Sequence, residues 1–194
     1  MSWLLQKEKN NLIKELQKKI EIGTVIKPDI LEKPANFVYL GIGSNIGNRF
    51  INIEKAKFLL LESNISLIST SSYYETPSWP DPKRPKFINI VLKVLCEHKA
   101  NKLLDICKKI EVKLGRKKAL KNAPRECDID IIDFKGFLLK GKLNLPHKMM
   151  HKRNFVLFPL FEIEKDWFHP LLKTKIKDLI LCLSNKEISS IKQI

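Results

Sequence analysis

Between Asn36 and Phe134 two hydrophobic periods alternate, and their order restricts the fold more than any other feature of the chain. Phe87-Ile88-Asn89-Ile90-Val91-Leu92-Lys93-Val94-Leu95 reads as a strand, as does Phe37 to Ile42. Ser66 to Tyr74, rich in Ser, Thr and Tyr, reads as another, and the run after Pro124 as a fourth. Two helical patterns lie between them. Ile53, Ala56, Leu60 and Leu61 mark one over Arg49 to Leu61, entered through the turn Gly43 to Arg49; Leu103, Leu104, Ile106, Cys107 and Ile110 mark the other over Asn101 to Leu114, ended by Gly115. Thr76 to Lys86 contains Pro77, Pro80, Pro82 and Pro85 and reads as a loop. The order βαββαβ predicts an α+β fold: a ferredoxin-like core whose antiparallel sheet carries both helices on one face.

The rest of the chain falls outside that core. In residues 1–36, Leu12, Ile13, Leu16 and Ile20 recur at helical spacing before Gly23, Pro28 and Pro34, so one amphipathic helix is expected in an N-terminal extension. Residues 37–194 are expected to form a single domain with a C-terminal extension. With 194 residues, 44% hydrophobic and 29% charged, the chain has the composition of a globular protein. Phe155 to Ile163 and Ile176 to Leu183 are apolar but far shorter than the roughly 20 residues that span a bilayer, and read as core.

The N-terminus lacks a signal-peptide pattern and carries Glu8, Glu15 and Glu21 without arginine, which predicts a cytoplasmic protein without a membrane partner. Cys96, Cys107, Cys127 and Cys182 show no metal-ligand spacing and are expected to be reduced. The net charge of +15 raises an RNA-binding reading, but the lysines are dispersed rather than blocked, and no nucleic-acid partner is expected. A monomer is expected, with self-association through the N-terminal helix as the alternative.

In the fourth strand, Asp128 and Asp130 project to one side and Ile129 and Ile131 to the other. Two adjacent carboxylates repel unless a cation lies between them, and hard oxygen ligands favour magnesium beside a substrate phosphate. Arg116, Lys117, Lys118 and Lys121 precede the pair, Arg125 abuts it, and His147 and Arg153 follow, a set suited to polyphosphate. Chance also places Asp-x-Asp on solvated strand faces, and a solvated basic loop accounts for the cations equally well. The residues by themselves leave these readings open.

Seven motifs in order carry a resemblance. Gly43-Ser44-Asn45, Tyr74-x-Thr76-Pro77, Phe87-x-Asn89, Glu111 with Gly115-Arg116, Pro124-Arg125-x-x-Asp128-x-Asp130, Pro146-His147 and Arg153-x-Phe155-Val156-Leu157-x-Pro159-Leu160 resemble the pattern of the 6-hydroxymethyl-7,8-dihydropterin pyrophosphokinases of folate biosynthesis. The resemblance spans about residues 37 to 170. It implies pyrophosphate transfer from ATP to the pterin hydroxymethyl group, with two Mg2+ ions on Asp128 and Asp130. It implies catalytic roles for Arg116, Lys118, Arg125 and Arg153. It assigns Gly43, Thr76, Pro77, Trp79, Phe87, Asn89 and Phe155 to the pterin, the two phenylalanines as its sandwich. Glu111, Lys121, Ile131, His147 and Arg153 fall to the ATP side.

The sequence departs from that pattern at Asn122-Ala123, where a Trp-Gly pair is usual, and at Lys118 and Lys121, where arginine is common. Lysine lacks the bidentate fork of a guanidinium, so nucleotide affinity is expected to differ. Two other readings remain: a different Asp-x-Asp transferase, which needs no pterin pocket, and a basic RNA-binding module.

Overall fold

The computed structural model describes residues 35–78, 81–116 and 123–194, so the expected N-terminal helix lies outside the described residues. In chain order the elements are β1 (Asn36–Ser44), α1 (Arg49–Glu62), β2 (Ile65–Thr70), β3 (Tyr74–Thr76), β4 (Phe87–Cys96), α2 (Ala100–Lys113) and β5 (Asp128–Phe134). After a single 3-10 turn at Met150–Lys152 come α3 (Asn154–Ile163), β6 (Phe168–His169), β7 (Thr174–Lys175), α4 (Ile176–Leu181), α5 (Asn185–Ser189) and β8 (Lys192–Gln193).

β4 is the centre of the sheet. It pairs along its whole length with β1, from Asn36↔Cys96 to Ser44↔Ile88. On its other edge β2 takes the half near Cys96 and β3 the half near Phe87. β5 lies outside β1, β8 lies outside β3, and every pairing is antiparallel. The sequence reads Ser66 to Tyr74 as one strand. The structure breaks it at residues 71–73, where Ser71 binds β4 through both its amide and its hydroxyl, which accepts from the Val91 amide at 2.9 Å.

Strand periodicity separates two cores. Val38, Leu40 and Ile42 of β1, with Ile88, Ile90, Leu92 and Val94 of β4, meet Ile53, Ala56 and Leu60 of α1 and Leu103, Cys107 and Ile110 of α2. α1 starts at its turn because the Asn48 side chain accepts from the Ile51 amide at 3.1 Å. On the opposite face Tyr39, Val91 and Ile132 meet Met150, Val156, Leu157, Leu160, Trp167, Ile176 and Leu179. The two C-terminal apolar segments thus build the second core, as α3 and α4.

An irregularity in β5 decides which acidic residues share a face. Leu40 pairs with Ile131 but Tyr39 pairs with Asp133, so Ile132 is the extra residue of a bulge. Beyond it Asp133 turns to the second core, where it accepts from Trp167 Nε1 at 3.1 Å. Burial raises its carboxyl above the usual range, and this indole bond and the Gly136 amide moderate the rise. Before the bulge the alternation is regular, and Ile129 and Ile131 enter the first core.

Candidate active site

The second sheet face is only partly covered. α3 packs on the part built from Tyr39, Val91 and Ile132, and the remainder is the floor of a cleft. Along that floor Gly43 of β1 pairs with Asn89 of β4 on one side and Asp128 of β5 on the other, while Gly41 pairs with Asp130. Glycine is required at 43 by close approach rather than by backbone angle. A β-carbon there would lie 2.9 Å from Asn89 Oδ1 and 3.3 Å from Phe87 Cδ1.

One end of the cleft is uncharged, the other charged. Phe87, Asn89, Thr76 and Pro77 form the first wall; Phe155, from the start of α3, also lines the cleft, with the Arg153 guanidinium 5.5 Å from its ring centre. Asn89 is buried and donates to Thr76 Oγ1 at 3.0 Å. At the other end lie Asp128, Asp130, Lys108, Arg116, Arg125, His147 and Arg153. Asp128 meets Arg116 at 2.9 Å through one oxygen and Arg125 at 3.1 Å through the other. Asp130 meets Arg153 at 3.3 Å. The cation that two adjacent carboxylates demand is therefore supplied by guanidinium groups. Both side chains keep contact with water, at 26% and 37% exposure, so a metal can reach them.

His147 faces Asp130 through Nε2 at 3.9 Å, while its Nδ1 accepts from the Met149 amide at 3.3 Å. Burial pushes its pKa below the usual imidazole range, partly opposed by Asp130. With Nδ1 accepting, a single ring proton belongs on Nε2, toward the carboxylate.

Glu111 and Ile131 do not line the cleft. Ile131 faces the first core. Glu111 is fully buried beneath the charged end, where one oxygen accepts from the Ile129 amide and from Lys108 Nζ, each at 2.8 Å, and the other binds Arg116 closely. It fastens α2 to the residue between the two aspartates. Trp79, Lys118 and Lys121 lie outside the described residues. The structure brings the other expected site residues, Gly43, Thr76, Pro77, Phe87, Asn89, Arg116, Arg125, Asp128, Asp130, His147, Arg153 and Phe155, around one cleft.

Lys108 was not singled out from sequence, and Asn45 entered only as the last residue of the Gly43-Ser44-Asn45 motif, with no role of its own. Lys108 stands one helical turn before Glu111, and that i,i+3 spacing is the signal that finds it. Asn45 is buried; its Oδ1 accepts from the Arg125 amide at 2.7 Å and its Nδ2 donates to the Pro85 carbonyl at 3.2 Å. It ties together the two loops that flank the cleft.

The donor set suits one kind of metal. Among the described residues no group of three or more His, Cys, Asp or Glu side chains converges on a point. Two carboxylates on one strand face, with the remaining ligands left to water and phosphate, match the habit of magnesium and not of zinc. Among the described residues no cysteine lines the cleft. Cys107 and Cys127 are buried, and burial pushes the Cys107 thiol up to about 12.

The chain is similar in sequence and in fold to known proteins. The sequence profile of 7,8-dihydro-6-hydroxymethylpterin-pyrophosphokinase matches residues 39–165. A 2-amino-4-hydroxy-6-hydroxymethyldihydropteridine pyrophosphokinase of Aquifex aeolicus is 39% identical over 142 residues, covering 73% of this chain and 88% of that protein. The enzyme of the same name from Haemophilus influenzae is 34% identical over 134 residues, 68% of this chain and 84% of its own length. The crystal structure of wild-type Plasmodium falciparum HPPK-DHPS shares the fold with a TM-score of 0.61 at 16% identity; 85% of this chain matches 45% of that one, so the likeness spans less than half of the longer protein. On the extent of the profile match and the identity of these relatives, the chain belongs to the 7,8-dihydro-6-hydroxymethylpterin-pyrophosphokinase family.

Proposed function

We propose that the cleft carries the reaction of this family, in which pyrophosphate passes from ATP to the hydroxymethyl group of 6-hydroxymethyl-7,8-dihydropterin and AMP is released. One observation carries the assignment of residues: Asn89 and Asp128 flank Gly43 in a single row of the sheet. Two strand spacings amount to roughly 10 Å, the separation of a pterin edge from a polyphosphate that its hydroxymethyl group must reach.

Each end then has its task. The pterin is flat and rich in donors and acceptors, so Phe87 and Phe155 give it apolar faces while Asn89 offers an amide donor and a carbonyl acceptor to its edge. Gly43, Thr76 and Pro77 complete that end, with Trp79 beside them in sequence. At the charged end Asp128 and Asp130 are the residues to hold Mg2+, two ions in our reading, and magnesium bound there would polarise the transferring group and shield the triphosphate. Arg116, Arg125 and Arg153 exchange their aspartate partners for phosphate oxygens and hold the charge that develops on them, and Lys108, Lys118 and Lys121 add positive charge on the ATP side. His147 adds an Nε2 donor on the ATP side.

The pterin hydroxyl oxygen bonds to the β-phosphorus, and the bond from that phosphorus to the α-bridging oxygen breaks. AMP leaves with the electron pair, and the hydroxyl proton passes to solvent. No protein nucleophile is involved.

The strand order β5-β1-β4 with β2 and β3 on the far edge supports a ferredoxin-like core. The second core, which draws on both the sheet and residues up to Leu183, supports treating 37–194 as one domain with a built-in C-terminal extension. We take it to act as a monomer. Incubation with hydroxymethyldihydropterin, ATP and magnesium tests the reaction: AMP is the expected nucleotide product, and formation of ADP instead, or no transfer to the pterin, would sink this reading.

A further inference from the structure

Residues 166–194 lie beyond the family match, yet they reach both walls of the pterin end. β8 pairs with β3, Gln193 opposite Tyr74 and Lys192 opposite Glu75, one residue short of Thr76. The Ile194 amide extends the contact to the Tyr73 carbonyl at 2.9 Å. The other attachment is to α3. Asn154 is buried, and its Nδ2 donates to the Glu187 carbonyl at 2.5 Å and to Ser190 Oγ at 3.0 Å. Its Oδ1 accepts from the Phe155 amide at 2.7 Å, one of the donors that a helix start leaves without an intrahelical partner.

We propose that Asn154 is a positioning residue for the pterin, and that the segment Ser184–Ile194, held by it, sets the spacing between the Phe155 and Thr76 walls. This rests on the assignment of the pterin to Phe87, Asn89 and Phe155 made above. The segment is built to transmit position. Ser184 and Glu187 close a capping box that stiffens α5, whose carbonyls and Ser190 hydroxyl then present fixed acceptors to Asn154. β8 also covers the outer edge of β3, which is only three residues long and has just the β4 ladder behind it. Asn154 stands in sequence between Arg153, which binds Asp130, and Phe155, which lines the cleft with the Arg153 guanidinium 5.5 Å from its ring centre. Because the segment's second anchor is β3 and not β5, its influence falls more on the pterin than on the polyphosphate.

Asn154→Asp separates this role from helix capping. The carboxylate still accepts from the Phe155 amide and suits a helix N-terminus, but it has no hydrogen to give the Glu187 carbonyl. The test measures the dissociation constants of hydroxymethylpterin and of a nonhydrolysable ATP analogue with magnesium, for the wild type, Asn154→Asp, and a chain ending at Leu183. Melting temperatures identify folded material.

Both variants should weaken pterin binding roughly tenfold, the worth of one or two buried hydrogen bonds, with nucleotide affinity within about twofold. The combined variant should be no weaker than the truncation alone, because the two changes remove the same constraint. Unchanged pterin affinity in Asn154→Asp, or an equal loss for both ligands, overturns the inference. Failure of the wild type to bind pterin would instead overturn the substrate assignment on which it rests.

Discussion

Gly43 has room for a hydrogen and nothing larger. A methyl group at that position would press on Asn89 Oδ1 at 2.9 Å, and the amide held to Thr76 would have to turn away. Gly43→Ala should therefore keep the fold, since the strain falls on one side chain at the cleft, and weaken pterin binding about tenfold, at the low end of overpacking penalties. Calorimetric titration with hydroxymethylpterin, beside a melting curve, checks both halves. Asp130→Ala acts on the other substrate. It removes a carboxylate 3.3 Å from Arg153, and turnover should be abolished while the melting temperature stays within a few degrees; near-normal AMP production would remove Asp130 from the metal assignment. Residues of this kind are legible in sequence because a strand fixes which side chains share a face. Lys108 and Asn45 were less so. Their roles depend on which partners the tertiary fold brings to them, the cleft and Glu111 for one, the Arg125 and Pro85 loops for the other.

Elements carry the site by their joints. The join of α2 to β5 is a single carboxylate, Glu111, buried with Arg116 and Lys108 as counter-ions and the Ile129 amide as a further donor. Glu111→Ala leaves that buried amide without its acceptor and Lys108 without its partner, while Arg116 keeps Asp128. We expect a loss of about 2 kcal/mol in denaturant unfolding, as for a buried donor left without its acceptor. Glu111→Gln retains one acceptor for the amide and should lose less. If Glu111 instead contacted nucleotide, the ATP affinity of the glutamine variant would fall while its stability held. The strands and α1 and α2 were legible to within a residue or two, because each has one apolar face with a clear period. Three features were not. The bulge at Ile132 reverses the parity that places Asp133, and nothing in Ile131-Ile132-Asp133-Phe134 marks where the extra residue enters. The break at residues 71–73 rests on Ser71 bonding to β4, a partner twenty positions away. α3 is apolar almost all round and contains Pro159, so its composition says that it is buried but not against what.

The described residues form a sheet held between two cores, and a histidine beside the second contributes to the response to acid. His169 is 2% exposed, with its ring edge-on to Trp167 and to His151. Its Nδ1 accepts from the Leu171 and Leu172 amides at 3.3 and 3.1 Å, which requires that nitrogen to be unprotonated. Burial first, and the neighbouring His151 second, lower its pKa from 6.5 to about 4. Between those values the unfolded chain binds more protons at this residue than the folded one, so the stabilising contribution is complete above pH 6.5 and declines as pH falls toward 4. The linkage relation gives about 2 kcal/mol lost between pH 7 and pH 5, or roughly 4–8 °C in melting temperature for a domain of this size. His147 and His151 are also lowered, chiefly by burial, and slope the same way; Asp133 is raised by burial and opposes them. The share of His169 is thus read as a difference. Melting temperatures of the wild type and His169→Gln at pH 7 and pH 5 should show the wild type losing several degrees more than the variant. Parallel losses in the two proteins would mean that His169 protonates in the folded state as readily as in the unfolded one, against the burial and the two amide bonds that hold it neutral.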